Sequence, residues 1–257
     1  MDNVLSNIIK TKQTCIFISP HLDDAMLSAG GLIHYLSSKT KVIVINVFTE
    51  SSDDKQTLSA WKFVKDMGYK KPSILFKERR NEDQQAFSKM HIVPINLGFS
   101  DALWRKKKGL VPQLLGNFLP EFAHAYPTYR FHMTKGKLAK ADRETITEVS
   151  EKLQTIIDQE KNPLIFCPLG VGNHVDHRLT RQVCEQKFSN RVYWSDFPYN
   201  IRENNDGTPP QGYFKATFPV KINDKRALIM AYKTQVSGLF SDGIIPDHKE
   251  IFFLAKK

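Results

Sequence analysis

The chain has 257 residues, of which 41% are hydrophobic and 25% are charged, and its formal net charge is +10. These values exclude a chain that is disordered as a whole, and the length suits a single α/β domain over residues 1–257. No run approaches the roughly 18 apolar residues that span a bilayer, and residues 1–12 lack the pattern of a secretion signal. We therefore predict no transmembrane segment.

The three cysteines, Cys15, Cys167 and Cys184, are scattered along the chain. They are too few for a disulfide framework, and their spacing does not match a cysteine-rich zinc site. Cys15 and Cys167 lie in apolar, strand-like runs, where a reduced thiol behaves as a small hydrophobic side chain. A reducing, cytoplasmic location fits this pattern.

The net charge of +10 favours anionic partners such as phosphorylated sugars, acidic glycans, anionic lipid headgroups or nucleic acid. The densest basic run consists of Arg105, Lys106, Lys107 and Lys108. We interpret this run as a solvated loop, because charge runs usually form one. The charge alone identifies no single partner, so we predict no specific nucleic-acid binding and leave the oligomeric state open.

Strand-like and helix-like patterns alternate along the chain. In chain order we predict a strand at 14–19, a helix at 24–38, a strand at 41–48, a helix at 54–67, an apolar run at 74–76, a helix at 78–90, a strand at 92–97, a helix at 139–159, a strand at 164–167, a helix at 174–187, a strand at 191–195, a helix at 221–239 and a strand at one edge of the sheet at 250–254. The alternation predicts a Rossmann-like α/β fold, with a mostly parallel sheet and helices on both faces. Residues 98–138 fit no regular pattern, and we interpret them as a variable insertion.

Two polar clusters each follow a predicted strand directly. Residues 20–24, Pro-His-Leu-Asp-Asp, come after the first strand, and residues 174–177, His-Val-Asp-His, come after the strand at 164–167. In open parallel sheets, ligands bind beyond the carboxyl ends of the strands. The two clusters should therefore meet at that edge of the sheet.

The residue types in these clusters suit a metal site. His21 and Asp24 are three residues apart, as are His174 and His177, which places each pair on one face of a helical turn. A catalytic zinc takes three histidine or carboxylate ligands and leaves a position for water, and one Asp with two His would supply that set. Taken alone, a His-x-x-His pair is more often surface or core, and Asp23 with Asp24 could be a helix cap.

Several segments resemble the LmbE-like N-deacetylases, also called the phosphatidylinositol-glycan class L (PIG-L) family. The resemblance covers residues 14 to about 240, and its two metal motifs are the most specific part. The matching segments are 19–24 (Ser-Pro-His-Leu-Asp-Asp), 29–31 (Ala-Gly-Gly), 79–83 (Arg-Arg-Asn-Glu-Asp), 97–103 (Leu-Gly-Phe-Ser-Asp-Ala-Leu), 174–178 (His-Val-Asp-His-Arg) and 225–235.

The resemblance implies a zinc-dependent N-deacetylase that hydrolyses the acetamide of an N-acetylated amino sugar, of the GlcNAc type. His21, Asp24 and His177 would bind zinc, although the same ligands also accept iron(II). Asp23 would be the general base that takes a proton from water. The substrate would be a small molecule or glycan, and the net charge favours one with an anionic group.

The resemblance also assigns roles to four further residues. His174 would be the general acid that protonates the departing amine, and Asp176 would orient it. We expect an ionised Asp176 in contact with the imidazole to raise the pKa of His174. Arg79 and Asp101 would contact sugar hydroxyls or a substrate anion, although a surface salt bridge and a loop cap are alternative interpretations of this pair.

The sequence departs from the family pattern in places. Leu22 and Ala25 stand where the family commonly has Pro and Glu, but neither change removes a ligand. Gly172 stands where some members have a tyrosine that helps to stabilise the oxyanion. Here the metal, His174 or another residue would have to stabilise it. The insertion at 98–138 departs most from the family pattern. The resemblance therefore does not identify the aglycone of the substrate.

Two other classes of protein remain as alternatives. Two His and one carboxylate also form the iron(II) triad of non-haem oxygenases, but those enzymes are expected on an all-β barrel. A basic, non-enzymatic protein that binds anionic glycan, a membrane surface or nucleic acid would explain the net charge, but it would leave both polar clusters without a purpose.

Overall fold

The computed structural model describes residues 1–218, 222–240 and 243–256. The strands are, in chain order, β1 (Cys15–Ser19), β2 (Val42–Glu50), β3 (Ile95–Ser100), β4 (Leu164–Pro168), β5 (Arg191–Trp194), β6 (Tyr213–Phe218) and β7 (Glu250–Ala255). They form a seven-stranded sheet with the order β3-β2-β1-β4-β5-β7-β6. Neighbours from β3 to β5 are parallel, whereas β7 is antiparallel to both β5 and β6. The predicted mostly parallel, Rossmann-like α/β sheet is confirmed.

Helices connect the strands and cover the sheet. In chain order they are α1 (Asp2–Thr11), α2 (Asp24–Ser37), α3 (Leu58–Asp66), α4 (Pro72–Ser88), α5 (Leu110–Phe118), α6 (Pro120–Ala123), α7 (Tyr129–His132), α8 (Asp142–Ile157), α9 (Val175–Lys187), α10 (Tyr199–Arg202), α11 (Ile222–Ile229) and α12 (Lys233–Leu239). Short 3₁₀ turns lie at Ala102–Trp104 and Met133–Lys135.

The central strand β1 shows why two helical layers form. Its side chains alternate between the two faces of the sheet, as in any strand. Cys15 and Phe17 pack in one core with residues of α1 and α2, while Ile16 and Ile18 pack in the other with residues of α8 and α9. Because both faces carry apolar side chains, helices must cover both to remove those side chains from water.

The first half of the chain differs from the prediction at four elements. Helix α1 was not predicted, and α3 begins four residues later than predicted. The apolar run at 74–76 and the helix at 78–90 form one helix, α4, because Pro72 starts the helix at its first turn and Leu75 and Phe76 belong to its buried face. Strand β3 begins at Ile95, three residues later than predicted. Pro94 has no backbone N–H to donate to a neighbouring strand, so regular pairing begins after it.

The last part of the chain differs more. Strand β7 does not close an edge of the sheet, because the unpredicted strand β6 pairs outside it. Only Phe218 of β6 is buried, so this edge strand has a weak apolar pattern. The predicted helix at 221–239 is divided into α11 and α12, and its first residue lies outside the described residues. Residues 98–138, predicted as irregular, hold the short helices α5, α6 and α7.

Two consequences concern the class of protein. The parallel α/β sheet excludes the all-β barrel that the iron oxygenase alternative requires. Within the described ranges, no helix combines the length and the apolar character that a membrane crossing demands.

Candidate functional site

The two polar clusters meet at the carboxyl ends of two neighbouring strands. His21 and Asp24 follow β1, and His174 and His177 follow β4, which is paired with β1. The ring centroid of His21 lies 5.0 Å from that of His174 and 5.4 Å from that of His177. The fold therefore brings together side chains that are more than half the chain apart in sequence.

Hydrogen bonds hold the first cluster in a tight turn between β1 and α2. The Ser19 hydroxyl donates to the His21 carbonyl oxygen at 2.6 Å and accepts from the Ala25 amide at 2.9 Å. The Pro20 carbonyl oxygen accepts from the Phe48 amide of β2 at 2.8 Å. The His21 backbone is thereby fixed against the sheet.

The second cluster follows a turn that requires unusual backbone angles. Gly170 and Gly172 both have a φ of +83°, and Asn173 has a φ of +55°. Glycine adopts such angles without steric cost, and asparagine tolerates them better than most residues. Helix α9 starts directly after His174, whose Nδ1 accepts from the Asp176 amide at 3.3 Å.

Three buried side chains form the centre of the site. Asp24 Oδ2 lies 3.0 Å from His21 Nδ1 and 3.2 Å from His177 Nε2. His177 Nε2 makes no hydrogen bond of good geometry with any described residue, which is unusual for a buried polar atom. One carboxylate and two imidazoles around such a nitrogen fit a divalent cation.

His174 is close enough to be considered as a ligand too. One ring nitrogen of each of His174, His21 and His177 can be chosen so that the three lie within 4.8 Å of one another. Its Nδ1 accepts a backbone N–H, which leaves Nε2 available, and Asp24 lies 3.0 and 3.2 Å from a nitrogen of each of the other two rings. His174 and Asp24 are therefore both candidates for a third ligand.

Each of the two histidines beside Asp24 has a carboxylate behind it. His177 Nδ1 lies 2.8 Å from Asp196 Oδ1, and His21 Nε2 lies 3.1 Å from Asp176 Oδ2. Histidines that bind metals usually donate the other ring N–H to such a partner, which fixes the ring and its tautomer. The residues around the site thus fit a bound cation as well as the central three do.

Asp196 was not identified from the sequence. It follows β5, the strand next to β4, and its Oδ2 accepts from the Gly170 and Val171 amides at 2.7 and 2.8 Å. An aspartate directly beyond a strand end was the available signal, since the same rule located the other two clusters.

The charges of the central residues depend strongly on one another. Burial lowers the pKa of His177, but Asp24 and Asp196 outweigh that effect and raise it well above its usual value. Burial also lowers the pKa of His21, yet hydrogen bonds to Asp176 and Asp24 raise it to about 9. Burial raises the pKa of Asp24, but the two imidazoles lower it well below its usual value. These carboxylates require positive charge nearby, which protonated imidazoles or a metal ion can supply.

Asp23 lies beside the central three. Its Oδ1 is 3.4 Å from Nη2 of Arg79, and both side chains are buried, so this is not a surface salt bridge. Burial and the adjacent Asp24 raise the pKa of Asp23, while Arg79 opposes that rise. A carboxylate with a raised pKa beside a cation site is suited to accept a proton.

Asp101 lies on the other side of His21. Its Oδ1 accepts from the Leu103 amide at 2.9 Å and so caps the 3₁₀ turn, while its Oδ2 is 3.6 Å from His21 Nε2. Oδ1 of Asp101 is therefore a loop cap, which was the alternative interpretation, and Oδ2 faces the site.

The carboxylate of Asp176 does not face His174, contrary to expectation. It contacts His21 Nε2, the Ala102 amide at 3.0 Å and Arg105 Nη2 at 2.6 Å, and no described contact joins it to the His174 ring. Asp176 raises the pKa of His174 as expected, but burial and the neighbouring His21 outweigh that effect and lower the pKa to about 3, so the expected net rise is wrong. The start of α9 directs Asp176 toward β1 and the 3₁₀ turn.

Arg105 also differs from the sequence interpretation. It is buried, and it forms ion pairs with Asp176 and, at 2.8 Å from Nε to Oδ1, with Asp142. Its guanidinium lies over the rings of Phe48 and Tyr126. The first residue of the basic run is thus a structural cation behind the site, and only the lysines that follow it are exposed or partly exposed.

A tyrosine occupies the space beside Gly172. A Cβ at this glycine would lie 2.6 Å from Cδ1 of Tyr199, so a larger residue would displace the ring. Tyr199 packs edge-on against His177, with 5.6 Å between the ring centroids, and its hydroxyl is hydrogen-bonded to Tyr129. Burial raises the pKa of Tyr199 well above its usual value, which keeps the hydroxyl protonated.

A cavity of about 380 Å³ opens beside this site. This volume is within the usual range of ligand pockets, about 300–1,000 Å³. Its polar end contains His21, Asp23, Asp24, Arg79, Asp101 and His174, and its apolar walls include Leu27, Phe63, Met67, Leu103, Met133 and Leu239.

Comparisons with known proteins agree with this architecture. The family model described as PIG-L, GlcNAc-PI de-N-acetylase, matches residues 16–188. A curated relative, 2'-N-acetylparomamine deacetylase of Niallia circulans, is 27% identical over 248 residues, which are 90% of this chain and 84% of that protein.

Two solved structures share the fold. A deacetylase–bog complex from teicoplanin biosynthesis has a TM-score of 0.76 and 21% identity, over 93% of this chain and 96% of its own. The zinc-inhibited form of the teicoplanin deacetylase Orf2 has a TM-score of 0.74 and 22% identity, over 93% of this chain and 97% of its own.

The match to the family model spans both polar clusters, the parallel strands β2, β3 and β4 in full, and all but the first residue of β1. It confirms the resemblance that the motifs indicated and replaces the non-enzymatic binding protein with an amide-hydrolysing enzyme. The chain belongs to the PIG-L family and is an N-deacetylase.

Proposed function

We propose that this N-deacetylase depends on a divalent metal and hydrolyses the acetamide of an N-acetylated amino sugar. The observation that carries the proposal is the pair of histidines beside Asp24. Each of them, His21 and His177, has one ring nitrogen next to Asp24 and the other against a buried carboxylate. A pair of buried imidazoles supported in this way is typical of metal ligands.

Zinc is the metal we propose, held by His21, Asp24 and His177, with iron(II) as the alternative that the same ligands accept. When bound, such an ion acts as a Lewis acid that polarises a carbonyl group and lowers the pKa of water to about 7.

Asp23 is the proposed general base. It accepts the proton that water loses as its oxygen attacks the acetyl carbon, and Arg79 holds the carboxylate in place. The bond between that carbon and the amide nitrogen then breaks, which yields acetate and an amine that must gain a proton.

His174 is the proposed donor on the other side of the substrate. Because its Nδ1 accepts the Asp176 amide, the neutral ring carries its proton on Nε2. In that state it can donate a hydrogen bond to the carbonyl oxygen as negative charge develops, and the Tyr199 hydroxyl is a second candidate donor. A neutral ring can protonate the amine only after it receives a proton, so the direct alternative is return of the proton from Asp23.

Amide and ester substrates distinguish these two routes. If His174 delivers the proton, His174→Ala should lower kcat/KM about 100-fold or more for an acetamide and much less for an activated acetyl ester, whose leaving group needs little protonation. If His174 only stabilises the oxyanion, both substrates should lose activity equally. Metal content should remain that of the wild type in either case.

An amino-sugar conjugate is the proposed substrate class. The support from relatives is their names: one is a 2'-N-acetylparomamine deacetylase, and the two solved structures are a deacetylase from teicoplanin biosynthesis and a teicoplanin deacetylase. The cavity offers Arg79 and Asp101 for sugar hydroxyls or an anionic group, with apolar walls beyond them.

The test is a panel assay with the full chain. Protein treated with chelator and then reloaded with zinc or iron(II) is given N-acetylated amino sugars, aminoglycoside fragments and glycopeptide pseudoaglycones, and the released amine is measured. We expect activity only after reloading, and only on substrates whose acetamide is attached to a sugar. Equal activity in the metal-free protein, or a preference for N-acetyl peptides over every sugar, would contradict the proposal.

A further inference from the structure

A short stretch of residues 98–138 exposes an unusual amount of apolar surface. Seven of the nineteen exposed large apolar side chains in the described part of the chain lie within residues 110–122. We call them the α5–α6 face: Leu110, Val111, Leu114, Leu115, Phe118, Leu119 and Phe122. The most exposed, Phe118, keeps 91% of its surface accessible. Contiguous apolar patches of this kind mark interaction surfaces.

Packing inside this segment explains why these side chains point outward. The one buried residue of α5 is Gly116, and a Cβ there would lie 2.4 Å from the Cβ of Ala123 in α6. The two helices therefore approach each other through small residues, and their large apolar residues remain on the outside. The face is built by a close helix contact rather than left over from poor packing.

Basic residues border the α5–α6 face. Lys55 Nζ donates to the Asn117 carbonyl oxygen at 2.7 Å, and Lys107 Nζ donates to the Phe122 carbonyl oxygen at 3.2 Å. Within the described ranges neither lysine has a carboxylate partner, whereas Lys106 and Lys108 are paired with Asp54 and Glu144. Residues 98–138 contain seven basic and two acidic residues, a net charge of +5 out of +10 for the chain.

The α5–α6 face adjoins the helix that lines the active-site cavity. The Leu58 amide of α3 donates to Glu121 of α6 at 2.9 Å, and the Tyr129 amide donates to the Ser59 hydroxyl at 3.3 Å. Ser59 and Tyr129 both line the cavity. Whatever covers the face is therefore held beside the substrate-binding region.

We propose that the α5–α6 face docks on an anionic lipid surface. Such a surface offers an apolar interior for the exposed side chains and negative headgroups for the lysines that border them. A second copy of the chain would also cover the apolar residues, but it would bring two segments of charge +5 together. Lipid binding of this kind requires neither the metal nor deacetylase activity, so its failure would leave the proposed function intact.

Vesicle co-sedimentation of the full chain tests the proposal. Vesicles of phosphatidylcholine alone are compared with vesicles of phosphatidylcholine and phosphatidylglycerol. The wild type should bind the anionic vesicles and not the neutral ones, and added salt should weaken binding, because headgroup attraction is screened. Phe118→Asp should reduce the partition coefficient about tenfold or more, since a large apolar side chain is lost and a negative charge is added.

Two further variants separate the surface from general effects. Val93→Asp is the matched control, because Val93 is 77% exposed but precedes β3, at the opposite end of the sheet, and its binding should equal that of the wild type. Leu114→Asp, at a side chain that is 62% exposed, should repeat the loss seen with Phe118→Asp. All variants should keep the thermal unfolding midpoint and the kcat/KM for a water-soluble substrate.

Three outcomes would overturn the proposal. The first is that the wild type does not bind anionic vesicles at low salt. The second is that Phe118→Asp and Leu114→Asp bind as tightly as Val93→Asp. The third is a dimer, seen by sedimentation velocity, that Phe118→Asp dissociates while vesicle binding is unaffected, since a second copy would then cover the face.

Discussion

The site at the carboxyl ends of the strands and the segment 98–138 are neighbours, but they are built in opposite ways. At the carboxyl ends of the strands, buried polar side chains from separate strands contact one another. His21 and His177 each contact two carboxylates, and Asp24 contacts both of these imidazoles. In the segment, large apolar side chains of α5 and α6 face outward. The first region gathers buried polar groups, and the second exposes apolar surface.

Arg105 joins the two regions. It belongs to the segment in sequence, but its side chain reaches behind the site to Asp176 and Asp142. One buried residue therefore ties this segment, whose outer surface is apolar, to the site. Substitutions at the site should thus remove activity, and substitutions of Arg105 should lower the free energy of unfolding.

The largest effect is expected at His177. His177→Ala should abolish both metal binding and activity, because it removes a proposed ligand together with its Asp196 contact. Asp196→Asn should be milder and weaken metal affinity about 10- to 100-fold, since it removes only the support. Elemental analysis after dialysis measures both, with His91→Ala, at an exposed histidine, as the control. Full metal occupancy in His177→Ala would remove this residue from the ligand set.

The next effect is expected at Asp23. Asp23→Asn preserves the shape of the side chain but cannot accept a proton, so kcat should fall about 100- to 10,000-fold with metal still bound. Steady-state rates and metal content are measured together, with Asp24→Asn as the paired variant, which should lose metal. If Asp23→Asn loses metal while Asp24→Asn keeps it, the two roles must be exchanged.

Arg105→Met tests the connection between the regions. It leaves Asp176 and Asp142 buried without their cation, which should reduce the free energy of unfolding by about 3–5 kcal/mol. Lys41→Met breaks a largely exposed ion pair with Glu160 and should cost about 1 kcal/mol or less. Denaturant unfolding compares the two variants. Equal losses would show that Arg105 is not the buried link between the regions.

Stability should also depend on pH through Asp83. Burial raises the pKa of this carboxyl group to about 8, although hydrogen bonds from Tyr232 and Asn46 oppose the rise. The folded chain therefore holds a proton that the unfolded chain loses above about pH 4, so stability should fall as the pH rises from about 4 to about 8.

Asp83→Asn removes this titration. Relative to the variant, the wild type should lose up to about 1.4 kcal/mol of unfolding free energy per pH unit across that range. Denaturant unfolding at several pH values measures the difference, and Asp66→Asn, at an exposed carboxylate, is the control. Parallel stability curves for wild type and Asp83→Asn would contradict the raised pKa.

Patterns within short stretches of sequence were sufficient for the parallel core of the fold. The strands at 14–19, 41–48 and 164–167 are apolar because they are buried on both faces, and that burial leaves a signal in consecutive residues. Strand β6 left no such signal, since only Phe218 is buried at this sheet edge. The position of β7 between β5 and β6 depends on pairing across the sheet, which a local pattern does not record.

For the site, the sequence by itself determined which residues would gather. His21, Asp24, His174 and His177 follow strands, and the ends of neighbouring parallel strands meet. Only the tertiary structure decided how the surrounding groups are paired. Asp176 supports His21 rather than His174, because the beginning of α9 faces β1, and the contact between two elements is set by their packing and not by distance along the chain.

The same reason applies to the residues that the sequence interpretation missed or misread. Asp196 follows a strand but belongs to no motif, and Arg105 begins a basic run that was interpreted as a solvated loop. Burial makes them different: in a low-dielectric interior each charge needs a partner, and the nearest partners come from elements far away in the chain. Local sequence therefore located the cluster of histidines and aspartates, whereas the electrostatic balance of the whole fold decided which charges stabilise it.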